Sequence, residues 1–374
     1  MLASAIFAVA AGALLYVLVG YPLLLAVVSR RERPVCRAPI FPSISILIPV
    51  HNGESFLEPK LRSILALDYP SEKTEILVIS DGSTDRTEAI ADSFAANDVR
   101  LLTLARGGKP AALNAAFSRA RGEILVLTDV RQPLAPDSVR LLMESFADPS
   151  VGAASGELII AAGASPDQND IRLYWRFETW IRDRLSALDS MFGATGPFYA
   201  IRRELATPIP PDILLDDMYL PLMAFLRGYR IVVDGRARAF DIPTYIGTEF
   251  QRKVRTLGGN YQIFMAFPAM LGPRNRMWIH FVSYKAGRLL LPWLLIMIAI
   301  SSFGLPQPWR FATLSGQALF YGLAALDVVI PARIPLKRIS SPVRTFVTMM
   351  LAAIRGLTVF FVPPRSLWKV TSSS

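Results

Sequence analysis

Leu77-Val78-Ile79-Ser80-Asp81-Gly82-Ser83-Thr84-Asp85 is the stretch that decides the fold class. Three apolar positions run into a turn whose first residue is a carboxylate, and Asp-Gly-Ser supplies the turn chemistry. A helical pattern resumes at Thr87. A strand-turn-helix unit of this kind puts Asp81 at the carboxyl edge of a parallel strand, where open α/β sheets bind ligands. The same alternation continues on both sides. It predicts strands at 44–50, 75–80, 99–105 and 124–129, with helices at 55–67, 85–96, 110–120 and 136–146. Short apolar strands separated by helices indicate βαβ units, hence an α/β domain with a mostly parallel, Rossmann-like sheet.

Outside that region the composition changes. The chain has 374 residues, 52% of them hydrophobic and 19% charged. The apolar excess sits at the two ends, as expected for a membrane protein with a soluble middle. The first 29 residues carry no charged side chain, a run longer than the ~20 residues that cross a bilayer. A cleaved signal peptide would want a basic start and a shorter apolar run, so this segment reads as a retained transmembrane helix. Arg30, Arg31, Arg33 and Arg37 follow it and place the next domain in the cytoplasm. The expected organisation is a transmembrane helix at 1–29, a proline-containing linker at 30–42 and the α/β domain at 43–241. A basic, interfacial segment at 242–280 and a C-terminal membrane region at 281–374 complete it. In that last region 289–309 and 311–330 read as spans. The candidate at 345–362 is interrupted by Arg355 and followed by basic residues, which favours a helix lying in the interface; crossing is the alternative.

Net charge is +10, which fits positive-inside topology and attraction to anionic membrane lipid better than nucleic acid, for which no motif is present. One cysteine, Cys36, excludes an intrachain disulfide, and two histidines leave no material for a histidine-built zinc site.

Several residues have the chemistry to handle a nucleotide. Asp81 can accept hydrogen bonds from a base imide N–H or from ribose hydroxyls. Ile48-Pro49-Val50-His51-Asn52-Gly53-Glu54 ends the preceding strand, although Pro49 also reads as a strand end and Glu54 as a helix start. Asp85 reads as a cap for the helix that follows it. Lys109 follows Gly107-Gly108 and opens a helix at Pro110; flexible backbone, a helix amino terminus and an ammonium together suit a phosphate. Leu127-Thr128-Asp129-Val130-Arg131 closes the fourth strand. Phe192-Gly193-Ala194-Thr195-Gly196-Pro197 and Leu214-Leu215-Asp216-Asp217-Met218 follow, then Gln251-Arg252-Lys253-Val254-Arg255-Thr256.

That ordered set, over about residues 43–260, resembles the membrane-bound enzymes of glycosyltransferase family two, which are inverting, have the GT-A fold and use nucleotide sugars. The resemblance implies that Pro49, His51, Glu54, Asp81, Lys109, Asp129 and Arg131 contact the nucleotide. It makes Asp217 the catalytic base with Asp216 its neighbour, although two acids at a helix start are also favoured by the helix dipole alone. Gly196, Arg252 and Arg255 fall on the acceptor and diphosphate side. Asp129 matches the first acid of the family's Asp-x-Asp motif and would hold Mg²⁺ or Mn²⁺. Arg131 stands where the second acid belongs, so either a metal binds through Asp129 alone or Arg131 offsets the diphosphate charge directly. Thr256 stands where many membrane synthases have tryptophan. The expected activity is transfer of a sugar from a nucleoside diphosphate to a lipid-linked or growing glycan, in an integral protein of the cell membrane with its catalytic domain cytoplasmic. A processive polysaccharide synthase subunit, working as an oligomer or with an export partner, is one alternative. A catalytically inactive nucleotide- or glycan-binding homologue is the other.

Overall fold

A computed structural model describes residues 1–160, 166–241, 246–331 and 333–363, and within these the side chains of all but 166–174 and 246–249. The chain forms two compact units. One comprises Arg31–Ala161 with Arg182–Pro243; the other comprises Met1–Arg30, Ala162–Ile181 and Thr244–Ser374.

The first unit is built on seven strands: β1 (Ile44–Val50), β2 (Thr74–Asp81), β3 (Val99–Leu104), β4 (Ile124–Thr128), β5 (Val151–Ile160), β6 (Phe198–Arg202) and β7 (Arg230–Asp241). They lie in the order β3-β2-β1-β4-β6-β5-β7. β1 runs parallel to both β2 and β4, and β3 is parallel to β2. β6 is antiparallel to β4 and to β5, while β5 and β7 are parallel. The mixed, mostly parallel α/β sheet expected from the sequence is therefore present. Its first four strands fall within two residues of the predicted ones. Ile44 to Ile48 are buried one after another, the unbroken burial of a parallel strand covered on both faces. Ser45, the polar member of the run, donates to Glu75 Oε2 at 2.6 Å and accepts from Gly122 N at 2.9 Å. The helix Glu54–Leu65 lays Leu57, Leu61 and Ile64 on this core together with Val139 and Leu142 of the helix Ser138–Glu144.

Arg230, at the start of β7, is 1% exposed and ties distant parts of this unit together. Its guanidinium donates to the carbonyls of Asp189 (2.9 Å), Ser186 (3.1 Å) and Arg33 (2.8 Å). Arg33 in turn donates to the Asp189 carboxylate at 2.9 Å. The start of the linker is thus fastened to its own domain.

The second unit is helical. Leu2–Leu15, Tyr16–Gly20 and Tyr21–Val28 form one helix with a π-turn in its middle. The helix Gly287–Ser302 packs against it in the opposite direction, Gly287 facing Val17 and Gly304 facing Ala3. Helices Trp309–Leu326 and Lys337–Gly356 follow, and between them Asp327 is fully buried against Lys337 (2.9 Å), Arg344 (3.0 Å) and Ser340 (2.5 Å). Among the described residues, three helical segments are long and apolar enough to cross a membrane: Leu2–Val28, Trp278–Ser302 and Lys337–Phe360. The helix Trp309–Leu326, expected as a span, is not one of them; Arg310 and Gln317 interrupt its apolar face. The last segment, expected in the interface, meets the same measure of length and composition over Lys337–Phe360, with Arg355 inside it. The expected interfacial segment begins at 242–245, outside the described residues, and continues as the helix Ile246–Ala266.

Candidate active site

Strand register builds the site. Val50 pairs with Ser80 and Leu47 with Leu127, so β1, β2 and β4 all end at one edge and deliver His51, Asp81 and Asp129 there. β6 arrives antiparallel, with Phe198 opposite Thr128. The loop before it, Thr195-Gly196-Pro197, therefore lies against Asp129: Thr128 Oγ1 donates to the Pro197 carbonyl at 2.8 Å. Pro49, which has no N–H to give, lies beyond the last β1–β4 pair at Leu47.

The first loops interlock. His51 Nδ1 donates to the Asp81 carbonyl at 2.9 Å. Glu54 Oε2 accepts from Arg86 N at 3.1 Å. Asp85 accepts from Glu54 N and Thr87 N, both at 3.0 Å, and from the Thr87 hydroxyl. It thus caps the first residues of two helices at once. Burial raises the Asp85 carboxyl, but the Thr87 hydroxyl and these N–H groups outweigh it and hold its pKa below that of an ordinary aspartate.

Asp81 is 3% exposed, and its carboxylate is already engaged by the protein. Gly107 N donates to it at 2.6 Å and Gly108 N at 2.9 Å, and the Arg106 guanidinium pairs with it. Gly108 has φ +87°, a conformation that a side chain would strain. The carboxylate thereby shapes the turn that starts the helix Lys109–Phe117, and Arg106, half-exposed, is the group at its mouth.

The acids of the second half converge on Lys109. Its ammonium lies 2.9 Å from Asp129 Oδ1 and 3.3 Å from Asp216 Oδ1. Burial alone would lower the Lys109 pKa; the charges of Asp129, Asp216 and Asp217 outweigh it and hold it above that of an ordinary lysine. Asp216 is buried and also accepts from the Tyr199 hydroxyl at 3.4 Å. Burial, then the neighbouring carboxylates of Asp216, Asp217 and Asp129, push the Tyr199 phenol well up, so it acts as a neutral donor. Asp217 is half-buried on the first turn of the helix Asp216–Leu226. Gly196 makes room for it: a Cβ there would meet Asp217 Oδ2 at 2.8 Å.

Arg131 pairs with Asp241 at the end of β7, at 2.7 Å. Arg252 and Arg255 belong to the helical unit, on the helix Ile246–Ala266. The donor set does not make a metal site by itself. Among the described residues no three His, Cys, Asp or Glu side chains are grouped to hold an ion, and Lys109 bridges Asp129 and Asp216. A cation that arrives on a diphosphate needs less, since Mg²⁺ takes one or two carboxylates with phosphate and water oxygens. Asp129, 37% exposed at its side chain, can supply one.

Sequence reasoning passed over Tyr199, Arg106, Asp241 and Lys60. Lys60 left a signal. It shares the i, i+3, i+4, i+7 stripe of Leu57, Leu61 and Ile64, yet is 1% exposed. Burial lowers its pKa to about 7 against the pull of Asp129. Arg106 and Asp241 carried no comparable signal, because their roles depend on partners 25 and 110 residues away.

A carboxylate pair at a helix start, a lysine bridging it to a strand-end acid, and a backbone gap beside the outer acid can meet an anionic group that carries its own divalent cation, next to a base. Comparison with known proteins agrees with that chemistry. The family model described as Glycosyl transferase family 2 matches residues 45–207. An N-acetylglucosaminyltransferase of Rhizobium leguminosarum bv. viciae is 26% identical over 293 residues, 72% of this chain and 68% of that protein. A poly-beta-1,6-N-acetyl-D-glucosamine synthase of Staphylococcus aureus is 24% identical over 63% of this chain and 59% of its own. A beta-monoglucosyldiacylglycerol synthase of Synechocystis is 29% identical over 32% of this chain, but only 26% of that protein. The chain therefore spans between about a quarter and two thirds of these relatives. A mannosyltransferase from Pyrobaculum calidifontis, solved with GDP-Man and Mn²⁺, shares the fold with a TM-score of 0.71 over 96% of this chain and 98% of its own, at 24% identity. The sheet is that of a GT-A domain, and residues 45–207 match the model of glycosyltransferase family 2.

Proposed function

We propose that this protein transfers a sugar, with inversion, from a nucleoside-diphosphate sugar to a lipid-linked or growing glycan at the cytoplasmic face of a membrane. The observation that carries the reading is the arrangement of Asp217, half-buried over Gly196, beside a Lys109 ammonium that bridges Asp129 and Asp216. Asp217 takes the proton of the acceptor hydroxyl as its oxygen attacks C1 of the sugar, and the C1–phosphate bond breaks to release the nucleoside diphosphate. One carboxylate is sufficient for a single displacement. Lys109 supplies positive charge near the phosphates. Asp129 would hold a divalent cation brought by the donor, which adds charge neutralisation at the leaving diphosphate. His51, Glu54 and Asp81 shape the nucleotide side, Asp81 through the Arg106-Gly107-Gly108 turn as much as through its own oxygens. The relatives that act on N-acetylglucosamine, and the neighbour bound to GDP-Man, support a hexose or hexosamine donor. Three helices apolar enough to span, with arginines after the first, support an integral membrane protein with the sheet unit in the cytoplasm.

One observation favours a second reading. Arg131 replaces the second acid of the motif and is paired with Asp241, as suits a homologue that binds a nucleotide without turning it over. Nucleotide release from UDP-glucose, UDP-N-acetylglucosamine and GDP-mannose by detergent-purified protein separates the two. Release from any of them, lost on adding EDTA and restored by Mn²⁺ or Mg²⁺, is the expected result. Binding without release would favour the inactive homologue, and sizing the product would distinguish single transfer from processive synthesis.

A further inference from the structure

The helix Glu54–Leu65 buries a lysine where its neighbours are leucine and isoleucine. Lys60 is 1% exposed, beside Leu57 and Leu61 at 0% and Ile64 at 3%. An ammonium is costly to bury, and apolar side chains of similar volume commonly replace buried ions without loss of stability. What Lys60 touches is specific. Its Nζ donates to Thr128 Oγ1 at 2.6 Å and to the carbonyl of Gln132. Those two residues stand immediately on either side of Asp129-Val130-Arg131. One ammonium therefore closes this turn at both ends.

The connection continues past the turn. The Thr128 hydroxyl accepts from Lys60 and donates in turn to the Pro197 carbonyl at 2.8 Å. Pro197 follows Gly196, the residue that leaves space for the Asp217 carboxylate. The next turn of the same helix reinforces the anchor: Ser63 Oγ donates to the Lys60 carbonyl at 2.7 Å and accepts from Leu134 N at 3.3 Å. Arg131 is held at the tip by Asp241. Lys109 pairs with the Asp129 carboxylate itself, whereas Lys60 holds the two residues that flank the turn and is linked through one hydroxyl to the acceptor-side loop.

We propose that Lys60 is a positioning residue for sugar transfer, fixing the Asp129–Arg131 turn so that Asp129 meets the donor diphosphate in register with Asp217. The proposal rests on the reading of Asp129 as a diphosphate-side residue. Lys60 touches no substrate; it acts through Asp129 and, by way of Thr128 and Pro197, on the loop beside Asp217.

The test is a double-mutant cycle on detergent-purified, full-length protein, with Lys60→Met, Asp129→Asn and the double variant, and Lys60→Arg as the conservative control. Steady-state nucleotide release gives kcat and the donor KM, and UDP and GDP titrations give nucleotide affinity. Lys60→Met is expected to raise the donor KM and lower kcat by about tenfold each, since misplacing a binding group by an ångström is that costly. The double variant should be no worse than Asp129→Asn alone, because the two residues act as one unit. Lys60→Arg, which keeps the cation, should recover part of kcat. Normal kinetics for Lys60→Met, or effects that simply multiply in the double variant, would overturn the proposal while leaving the transfer reading intact. Should Lys60→Met fail to fold, Thr128→Val removes the same link from the other side with the lysine in place, and is expected to show the same split between KM and kcat; unchanged kinetics there also overturns the idea. If wild-type protein releases nucleotide from no donor, the transfer reading falls. The role of Lys60 is then read from UDP and GDP affinity alone, which must drop about tenfold in Lys60→Met. Unchanged affinity, or no nucleotide binding by wild type, overturns it.

Discussion

Replacing Asp217 with asparagine keeps the side chain's size and removes its basicity, which is the property a general base contributes. Transfer by Asp217→Asn should fall on the order of 10²- to 10⁴-fold, with donor affinity nearly unchanged, because the base acts on the acceptor hydroxyl in the transition state. Near-normal turnover would remove Asp217 from the mechanism. Gly196→Ala probes the same oxygen from the other side. Its new methyl would press on Asp217 Oδ2 from 2.8 Å, and the carboxylate is the mobile end of a side chain, so the fold should survive while the base is displaced. A drop in kcat of about tenfold or more, with the donor KM held, is the expected result; unchanged kcat would show that the position of this oxygen is not critical. Asp216, Asp217, Lys109 and Asp129 stood out in the sequence because each ends a strand or opens a helix and falls in a motif of the resembled family; the structure brings the four together. Arg106 and Asp241 were not, since they are defined by what they touch. Asp81 was found for its location and understood only in part, because its carboxylate serves the following turn.

At the scale of elements, the starts of the helices Glu54–Leu65 and Thr87–Ser93 share one cap. Asp85→Ala removes hydrogen bonds to the first N–H of both, so it should cost about 1–2 kcal/mol, the upper part of the range for a lost cap. The carboxyl is held below its ordinary pKa, so its stabilisation is complete above the unfolded-state pKa and is lost as pH falls through the folded one. The difference in melting temperature between wild type and Asp85→Ala should therefore be widest near neutral pH and close in acid. A gap that is constant with pH would mean the carboxylate charge plays no part. β1 to β4 were legible because each is a short apolar run bounded by turn residues. β5, β6 and β7 give weaker local signals: β7 alternates small and charged residues, Gly235-Arg236-Ala237-Arg238-Ala239, and becomes a strand through its pairing with β5.

For the whole molecule, the sequence separated a polar middle from apolar ends, yet the number of crossings depends on the C-terminal helices. Arg333, Lys337, Arg338 and Arg344 cluster after the helix Trp309–Leu326, and positive-inside bias puts that cluster in the cytoplasm. A single cysteine at the exposed Ile334, in a Cys36→Ser background, should therefore react with an impermeant thiol reagent only from the cytoplasmic side of sealed vesicles, which requires Trp309–Leu326 to cross although it is less apolar than the three segments named above. A cysteine at Pro306 should react only from the opposite side. Labelling of position 334 from outside would make Lys337–Phe360 the crossing segment and Trp309–Leu326 an external helix. Such ambiguity is physical: Asp327 pairs with both Lys337 and Arg344, and hydropathy reads those charges one at a time.

Arg230 sets a schedule for biogenesis. Its guanidinium holds the Arg33 carbonyl across a separation of 197 positions in the sequence. At about 5–20 residues per second, a ribosome reaches that arginine roughly 10–40 s after the linker has been made. During that interval the first apolar helix is ready for the membrane and β1 to β4 can already assemble, while the linker joining them is still slack. The nascent chain is therefore moored before it is closed. The last fastening of the domain comes from a residue made near its end, so on the proposed membrane reading the leading helix has that interval to insert before the linker is drawn tight.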